Sequence, residues 1–268
     1  MDANIQEKVR EYWQERASKY SGGNASTTDD VWLREAEISA AIETLRDLPL
    51  PRNAQALDVG CGDGYSTLRI AQSFPCFMFL GIDYSEGMIR IARQRQESER
   101  ELGSRTSFAL GDVTNLEPAC GDRFYDLVLS DRCLINLSSI EEQRNAIAQI
   151  ARHTRPGAFY VAIENFVEGH DNMNAARSSV GLAPIPVRWH NQYFREEDFA
   201  DAAARFFEVI HIKDFSSSYY FATRVIYAAM CRMRGETPDY HHEIHQLAVK
   251  LPWIGQFSPV RMAVMRRK

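Results

Sequence analysis

The sequence predicts an α/β protein built on a doubly wound, mostly parallel sheet. Three observations carry that expectation. From about residue 55, short apolar runs alternate with amphipathic segments. The runs are nearly continuous in Val, Ile, Leu and Phe, the pattern of strands covered on both faces. The first run also leads directly into a glycine-rich turn that opens a helix.

The elements follow in order. Ile5, Val9, Tyr12, Trp13 and Tyr20 share one helical stripe, and a Ser/Gly/Asn/Thr stretch over 21–28 ends it. Asp29 or Asp30 caps a second helix carrying Trp32, Leu33, Ala36, Ile42 and Leu45, which stops near Leu48 before Pro49 and Pro51. Strands are expected at 56–59, 77–82, 107–110, 125–129 and 158–163. A helix runs from the glycine turn to about Phe74, and Ser85 caps another whose far end, RQRQESERE, reads as a solvated face. Ser138 or Ser139 caps a helix to about His153, with Glu141 and Glu142 well placed in its first turn. Residues 166–194, with Gly169, Gly181, Pro184 and Pro186, read as an irregular excursion. A helix at 196–206, a strand at 207–212, helical residues 217–250 and a last strand at 260–265 complete the chain.

Composition narrows the function. The 268 residues are 45% hydrophobic and 25% charged, with 31 basic and 36 acidic side chains and a net charge of −5. Such a chain has material for a large core and none of the marks of disorder. Its acidic balance disfavours nucleic acid, and the short tail Arg266, Arg267, Lys268 does not reverse that. No apolar stretch approaches the ~20 residues that span a bilayer, and MDANIQEKVREYW lacks the apolar core of a signal peptide. The five cysteines, at 61, 76, 120, 133 and 231, contain no CxxC pair, so a reducing, cytoplasmic setting is expected.

The strongest local signal is LDVGCGDGY at 57–65. Alternating glycines let backbone approach a ligand closely at a helix N-terminus. The spacing is GxGxG; a GxGxxG dinucleotide fingerprint would need glycine where this chain has Tyr65. Asp83 ends the second strand and Asp112 follows the third, so Asp58, Asp83 and Asp112 all fall where open α/β sheets bind ligands. Taken singly, each acid also reads as a cap or turn residue.

LDVGCGDG, FLGIDYS, ALGDV, DLVLSDRCLINL and RPGAFYVAIE together resemble a class I S-adenosylmethionine-dependent methyltransferase, closely over about residues 50–165 and only in layout beyond. The resemblance implies a seven-stranded sheet of order 3-2-1-4-5-7-6, with an antiparallel last strand beside the fifth and a helical substrate cover. It places Asp58 and Gly60 by the methionine moiety, Asp83 on the ribose hydroxyls, Tyr84 against adenine, and Asp112 and the Val113 N–H on the adenine edge, with Cys61, Gly62 and Met88 also among the cofactor contacts. Ser130 would offer its backbone carbonyl to the cofactor's amino group. An aromatic from the N-terminal helices, Tyr12, Trp13 or Tyr20, would close the site; for Tyr12 and Trp13 a core-facing stripe is an equal reading. One domain over 1–268 is expected, with an N-terminal helical cover (1–50), a cofactor-binding core (51–165), a substrate lid and helix (166–205) and final strands with a helical insertion (206–268).

The acceptor side is read from the residues themselves. Asp131, a candidate catalytic residue, and Arg132 and Asn136, candidate substrate contacts, follow the fourth strand at the mouth of the site, although Asp131 and Arg132 could instead pair with each other or cap the next helix. Glu164 ends the fifth strand at the same rim. Residues 172–177 and 189–193 have the composition of a lid, aromatic walls with a few donors. There His190 is the candidate general base, against a structural histidine, and Asn191 and Tyr193 are candidate substrate contacts. Arg177 suits a carboxylate or phosphate. His241, His242, Glu243 and His245 lack the HExxH spacing, so no metal is expected. Ser216, Ser217 and Ser218 read as a helix cap.

The expected chemistry is methyl transfer to a small molecule, first to a hydroxyl of a natural product or sugar and second to an amine, in a monomer or homodimer. No NPPY- or DPPY-type tetrapeptide follows the fourth strand, against methylation of base or amide nitrogens. A protein of the same fold catalysing a non-methyl reaction such as cyclisation, a non-catalytic binding protein and an NAD-dependent oxidoreductase are the competing readings.

Overall fold

The computed structural model describes residues 3–20, 26–99 and 101–268; most of the break read at 21–28 lies outside them. Helix α1 (Ala3–Lys19) and α2 (Val31–Asp47) come first. Of the two candidate caps, Asp30 is the one used: its carboxylate accepts from Leu33 N at 3.1 Å. The alternating unit follows as β1 (Gln55–Val59), α3 (Tyr65–Ser73), β2 (Met78–Asp83), α4 (Glu86–Ser98) and β3 (Thr106–Leu110). A short α5 (Glu117–Cys120), β4 (Tyr125–Asp131), a 3₁₀ turn at Leu134–Asn136, α6 (Ile140–His153) and β5 (Thr154–Asn165) complete the parallel part. Ser85 caps α4 and Ser139 caps α6, each accepting from a backbone N–H three residues on.

The sheet order is β3-β2-β1-β4-β5-β7-β6. Here β6 is Phe207–Lys213 and β7 is Val260–Arg267, and β7 runs antiparallel to both of its neighbours. The expected order and the inserted antiparallel strand are therefore observed. β5 is buried from Phe159 to Asn165 and β7 from Val260 to Met265, which explains why both read as continuous apolar runs. One core face joins α2, α3 and α4 to the sheet, and the other joins α6 and α8 (Glu196–Ala204).

Residues 166–194 are not wholly irregular. A 13-residue helix, α7 (Val167–Ser179), occupies their first half. Gly169 lies inside it because a Cβ there would stand 1.7 Å from the Ser258 carbonyl oxygen. The glycine marks a close approach to a neighbouring loop, not a helix break. The helical stretch after β6 is α9 (Ser217–Tyr220), a π-helix at Phe221–Tyr227, α10 (Ala228–Arg234) and α11 (Ile244–Ala248). The end of α4 is less solvated than expected: Arg93 donates to the Phe108 carbonyl and Arg95 to Asp63. No helix of the described residues is long and apolar enough to cross a membrane.

Candidate active site

A cavity of about 460 Å³ opens at the C-terminal ends of β1 to β5 and is roofed by α1, α2, α7 and the π-helix. Its size lies within the range of roughly 300–1,000 Å³ common for small-molecule sites. Its lining takes in Tyr84 and Asp112 from the sheet edge and Tyr220, Arg224 and Tyr240 from the chain after β6.

The glycine loop forms its floor. Gly60 and Cys61 N–H both donate to the Ile82 carbonyl, at 2.8 and 2.9 Å, tying the turn to β2. Gly60 has φ +73°, and a Cβ there would meet Cys133 Sγ at 2.4 Å, so backbone conformation and space both require glycine. Asp83 accepts from Gly62 N at 3.0 Å and from Ser85 N at 2.8 Å. Burial pushes its carboxyl up to about 6 against those two donors. Asp58 accepts from Thr67 Oγ1, and burial carries it up to about 7. Asp112 holds Thr114 through its backbone N–H and hydroxyl and forms a salt bridge with Arg10 of α1. Arg10 also lies over the Tyr84 ring, 5.3 Å from its centroid. Asp58, Gly60, Cys61, Gly62, Asp83, Tyr84, Met88, Asp112 and Val113 all line the cavity.

Asp63, in the same loop, was not singled out from sequence and is a structural hub. It is fully buried and binds Arg34 of α2, Arg95 of α4 and the Ser26 hydroxyl. Burial would raise its carboxyl, but Arg34, the Ser26 hydroxyl and Arg95 together outweigh burial and hold it below the usual range. The loop is thus clamped to the helices on either side of it.

At the acceptor end, Asp131, Arg132, Asn136, His190, Asn191 and Tyr193 line the same cavity. Arg132 takes a left-handed backbone, φ 49°, uncommon for a side chain of its size. Its guanidinium grips buried Glu37 of α2 at 3.1 Å and stands 3.8 Å from Asp131. That longer contact is the pairing anticipated from sequence. Asp131 Oδ1 is buried with no hydrogen-bond partner. Burial raises its carboxyl, with the nearby Arg132 pulling the other way. Asn136 is shared between Trp13 Nε1, at 3.2 Å, and the Arg132 carbonyl, at 2.7 Å.

Five candidates, Tyr12 among them, fall outside the cavity lining. Tyr20 ends α1 with Arg16 and Lys19 over its ring, so the N-terminal aromatic at the cavity is Trp13. The Ser130 hydroxyl is turned toward Tyr160 and Glu164. Glu164 is fully buried and accepts from Leu134 N at 3.0 Å and Ile135 N at 3.3 Å; it fixes the turn after β4, and burial lifts its carboxyl to about 8. Arg177 donates to the carbonyls of Ala183 and Arg224.

The His190 ring stacks on Tyr12 at 4.5 Å and meets Trp13 and Trp189 edge-on. Burial, then Arg188 and Arg16, push its pKa down to about 4. An imidazole so acidic in its protonated form is a weak proton acceptor at neutral pH. The three serines near 217 neither cap a helix nor face the cavity: Ser216 bonds Ser258, Ser217 the Ile254 carbonyl and Ser218 the Pro252 carbonyl. His245 is buried against the Tyr219 hydroxyl at 2.7 Å, and His242 packs on Tyr227. Among the described residues no three His, Cys, Asp or Glu side chains are placed to hold one ion.

Sequence reasoning missed the far wall, Asn165, His170, Tyr220, Arg224 and Tyr240. It read Asp30 only as a cap, although that carboxylate also binds Arg224 and the Tyr219 hydroxyl. No motif marks these positions.

Known proteins share this architecture. Residues 56–157 match the methyltransferase domain family. The chain is 31% identical over 117 residues to a trans-aconitate 2-methyltransferase of Delftia acidovorans, covering 44% of this chain and 40% of that protein. It thus spans less than half the length of that curated relative. The magnesium protoporphyrin IX methyltransferase of Synechocystis with bound S-adenosylhomocysteine superposes with a TM-score of 0.63 at 16% identity, over 98% of this chain and 99% of that one. The [4+2]-cyclase SpnF does so with a TM-score of 0.56 at 22% identity, over 87% and 80%. At these identities the structural likeness speaks for the fold alone.

Proposed function

We propose that this chain, whose residues 56–157 form a class I S-adenosylmethionine-dependent methyltransferase core, transfers the cofactor's methyl group to a hydroxyl of a small molecule bound in the far half of the cavity. The observation that carries the acceptor reading is Asp131. It is a part-buried carboxylate on the cavity wall, its side chain 25% exposed, one residue beyond the β4–β1 pairing. Its Oδ1 is buried on the Arg132 side without a hydrogen bond, and the exposed remainder of the carboxylate can accept from a ligand hydroxyl.

The residues present fit the cofactor. Asp83 is held with both oxygens on backbone donors and faces the cavity, suited to accept from a diol. Gly60 and Gly62, whose Cβ positions are already taken by Cys133 and Thr27, bring the loop backbone to the cavity surface. Tyr84 and Met88 offer an apolar wall, and Asp112 and Val113 a polar edge. When bound, S-adenosylmethionine supplies a sulfonium-activated methyl group. The chain itself contributes orientation and exclusion of water. Trp13, fixed by Asn136, closes the roof, and Asp131 takes the hydroxyl proton at the exposed part of its carboxylate. Its raised carboxyl makes it a better base than an ordinary aspartate, whereas His190 serves as a wall of the aromatic cluster.

Binding of S-adenosylhomocysteine, measured by calorimetry beside Asp83→Ala, tests the cofactor half. Incorporation of isotopically labelled methyl into a panel of hydroxylated acceptors tests the transfer, with Asp131→Asn as the control. Binding without label in any product would leave a non-methyl reaction on the same fold.

A further inference from the structure

We propose that the outer end of this cavity is a carboxylate-binding subsite centred on Arg224, so that the acceptor carries an acid group besides its reacting hydroxyl. The proposal deepens the methyl-transfer reading and rests on it for the identity of the ligand as acceptor.

Arg224 is fixed before any ligand arrives. It sits in the π-helix, a local register often found at functional sites, which presents Arg224 to the cavity beside Tyr220, the last residue of α9. The rings of Tyr240, Tyr220 and Tyr219 surround its guanidinium at 4.8, 5.5 and 5.7 Å. Its side chain is 14% exposed. Two of its nitrogens carry protein contacts, Asp30 on one and the Thr223 hydroxyl, at 3.0 Å, on the other. A guanidinium has five N–H groups, so donors remain in a residue that lines the cavity. That planar fork matches a carboxylate.

The charge around it favours an anion. Asp30 is divided among Arg224, the Tyr219 hydroxyl and the cap bond to Leu33 N. Arg177 stands directly behind, donating to the Arg224 carbonyl, and the two guanidinium groups repel each other. Arg188, exposed and on the cavity rim, makes no salt bridge among the described residues. Asp30 is thus engaged several times over, while the Arg224 and Arg188 side chains both line the cavity. The tyrosine walls suit a flat apolar body between the acid and the hydroxyl.

The test uses the full chain saturated with S-adenosylhomocysteine, with benzoate and benzamide as probes in ligand-observed NMR titrations. Saturation by S-adenosylhomocysteine is verified first, so failure there removes the methyl-transfer reading and failure later removes only this one. Benzoate is expected to bind at least tenfold more tightly than the isosteric benzamide, in keeping with the roughly 1.5–3 kcal/mol of a charged hydrogen bond. Arg224→Gln should lose that preference, and the exposed Arg188→Gln should weaken benzoate a few-fold with an unchanged melting temperature. Equal binding of the two probes by the unaltered chain would overturn the proposal without recourse to any variant. So would a preference for benzoate that survives in Arg224→Gln.

Discussion

The carboxylate of Asp83 and the backbone of Gly62 are joined by a 3.0 Å hydrogen bond, while the other oxygen of Asp83 accepts from Ser85 N. The end of β2 and the turn after β1 therefore hold one another, and the acid proposed to take the ribose hydroxyls is oriented in advance. Such preorganisation lowers the ordering cost of binding. Asp83→Ala is expected to weaken S-adenosylhomocysteine binding by about 10- to 100-fold, from roughly 1.5–3 kcal/mol of charged hydrogen bonding. Asp83→Asn should be milder for folding than for binding. Calorimetry beside a thermal melt separates the two effects.

Gly60→Ala combines a left-handed backbone with a Cβ contact of 2.4 Å to Cys133 Sγ. The backbone alone costs about 1–2 kcal/mol. The melting temperature should fall and cofactor binding should fall further. Truncating the obstructing side chain in Gly60→Ala/Cys133→Ala should recover part of both.

Asp131→Asn keeps the shape of the residue and removes its proton affinity. Turnover of a hydroxyl acceptor should drop by about 10²- to 10⁴-fold, the usual scale for a positioned base, with S-adenosylhomocysteine affinity unchanged. Only the ionised form accepts a proton, and burial raises this carboxyl. Activity should therefore rise with pH through an inflection above the ordinary aspartate range and be lost below it, and Asp131→Asn should abolish that inflection. A profile unaltered in the variant would refute the assignment.

His190 supplies the contrast. With its pKa near 4, the ring is neutral from mildly acidic pH upward. His190→Gln should leave the pH profile between 5 and 8 in place while lowering stability and acceptor affinity, because the ring stacks on Tyr12 and abuts Trp13. An inflection near neutral pH that vanishes in His190→Gln would restore it as the base.

Asp63 couples the glycine loop to stability. Its carboxyl is held low in the folded chain, so it contributes stability that is present above the unfolded aspartate value and lost as pH falls through the folded one. Asp63→Asn leaves Arg34 buried without its full partner, and about 3–5 kcal/mol of destabilisation is expected. Chemical denaturation at pH 7 and at about pH 2.5, below the ordinary aspartate value, checks both the size and the sign: the gap between variant and unaltered chain should narrow at the lower pH.

The sequence by itself determined the parallel core and its ligand-facing edge. Apolar runs such as 56–59 and 79–82 are local patterns, and the alternating glycines need no distant partner to be read. Strand ends follow from strand positions, so Asp58, Asp83 and Asp112 were legible together. Tertiary structure decided the rest. Gly169 looked like a breaker until the Ser258 carbonyl gave it a reason to sit inside a helix. Glu164, a plausible rim contact by position, is turned inward because the N–H groups of Leu134 and Ile135 need an acceptor. Arg224 lies 194 residues from Asp30, yet the two meet on one wall of the cavity. Periodicity reports which face of an element is apolar; it does not report which distant element will supply a charge, a donor or the space for a ligand.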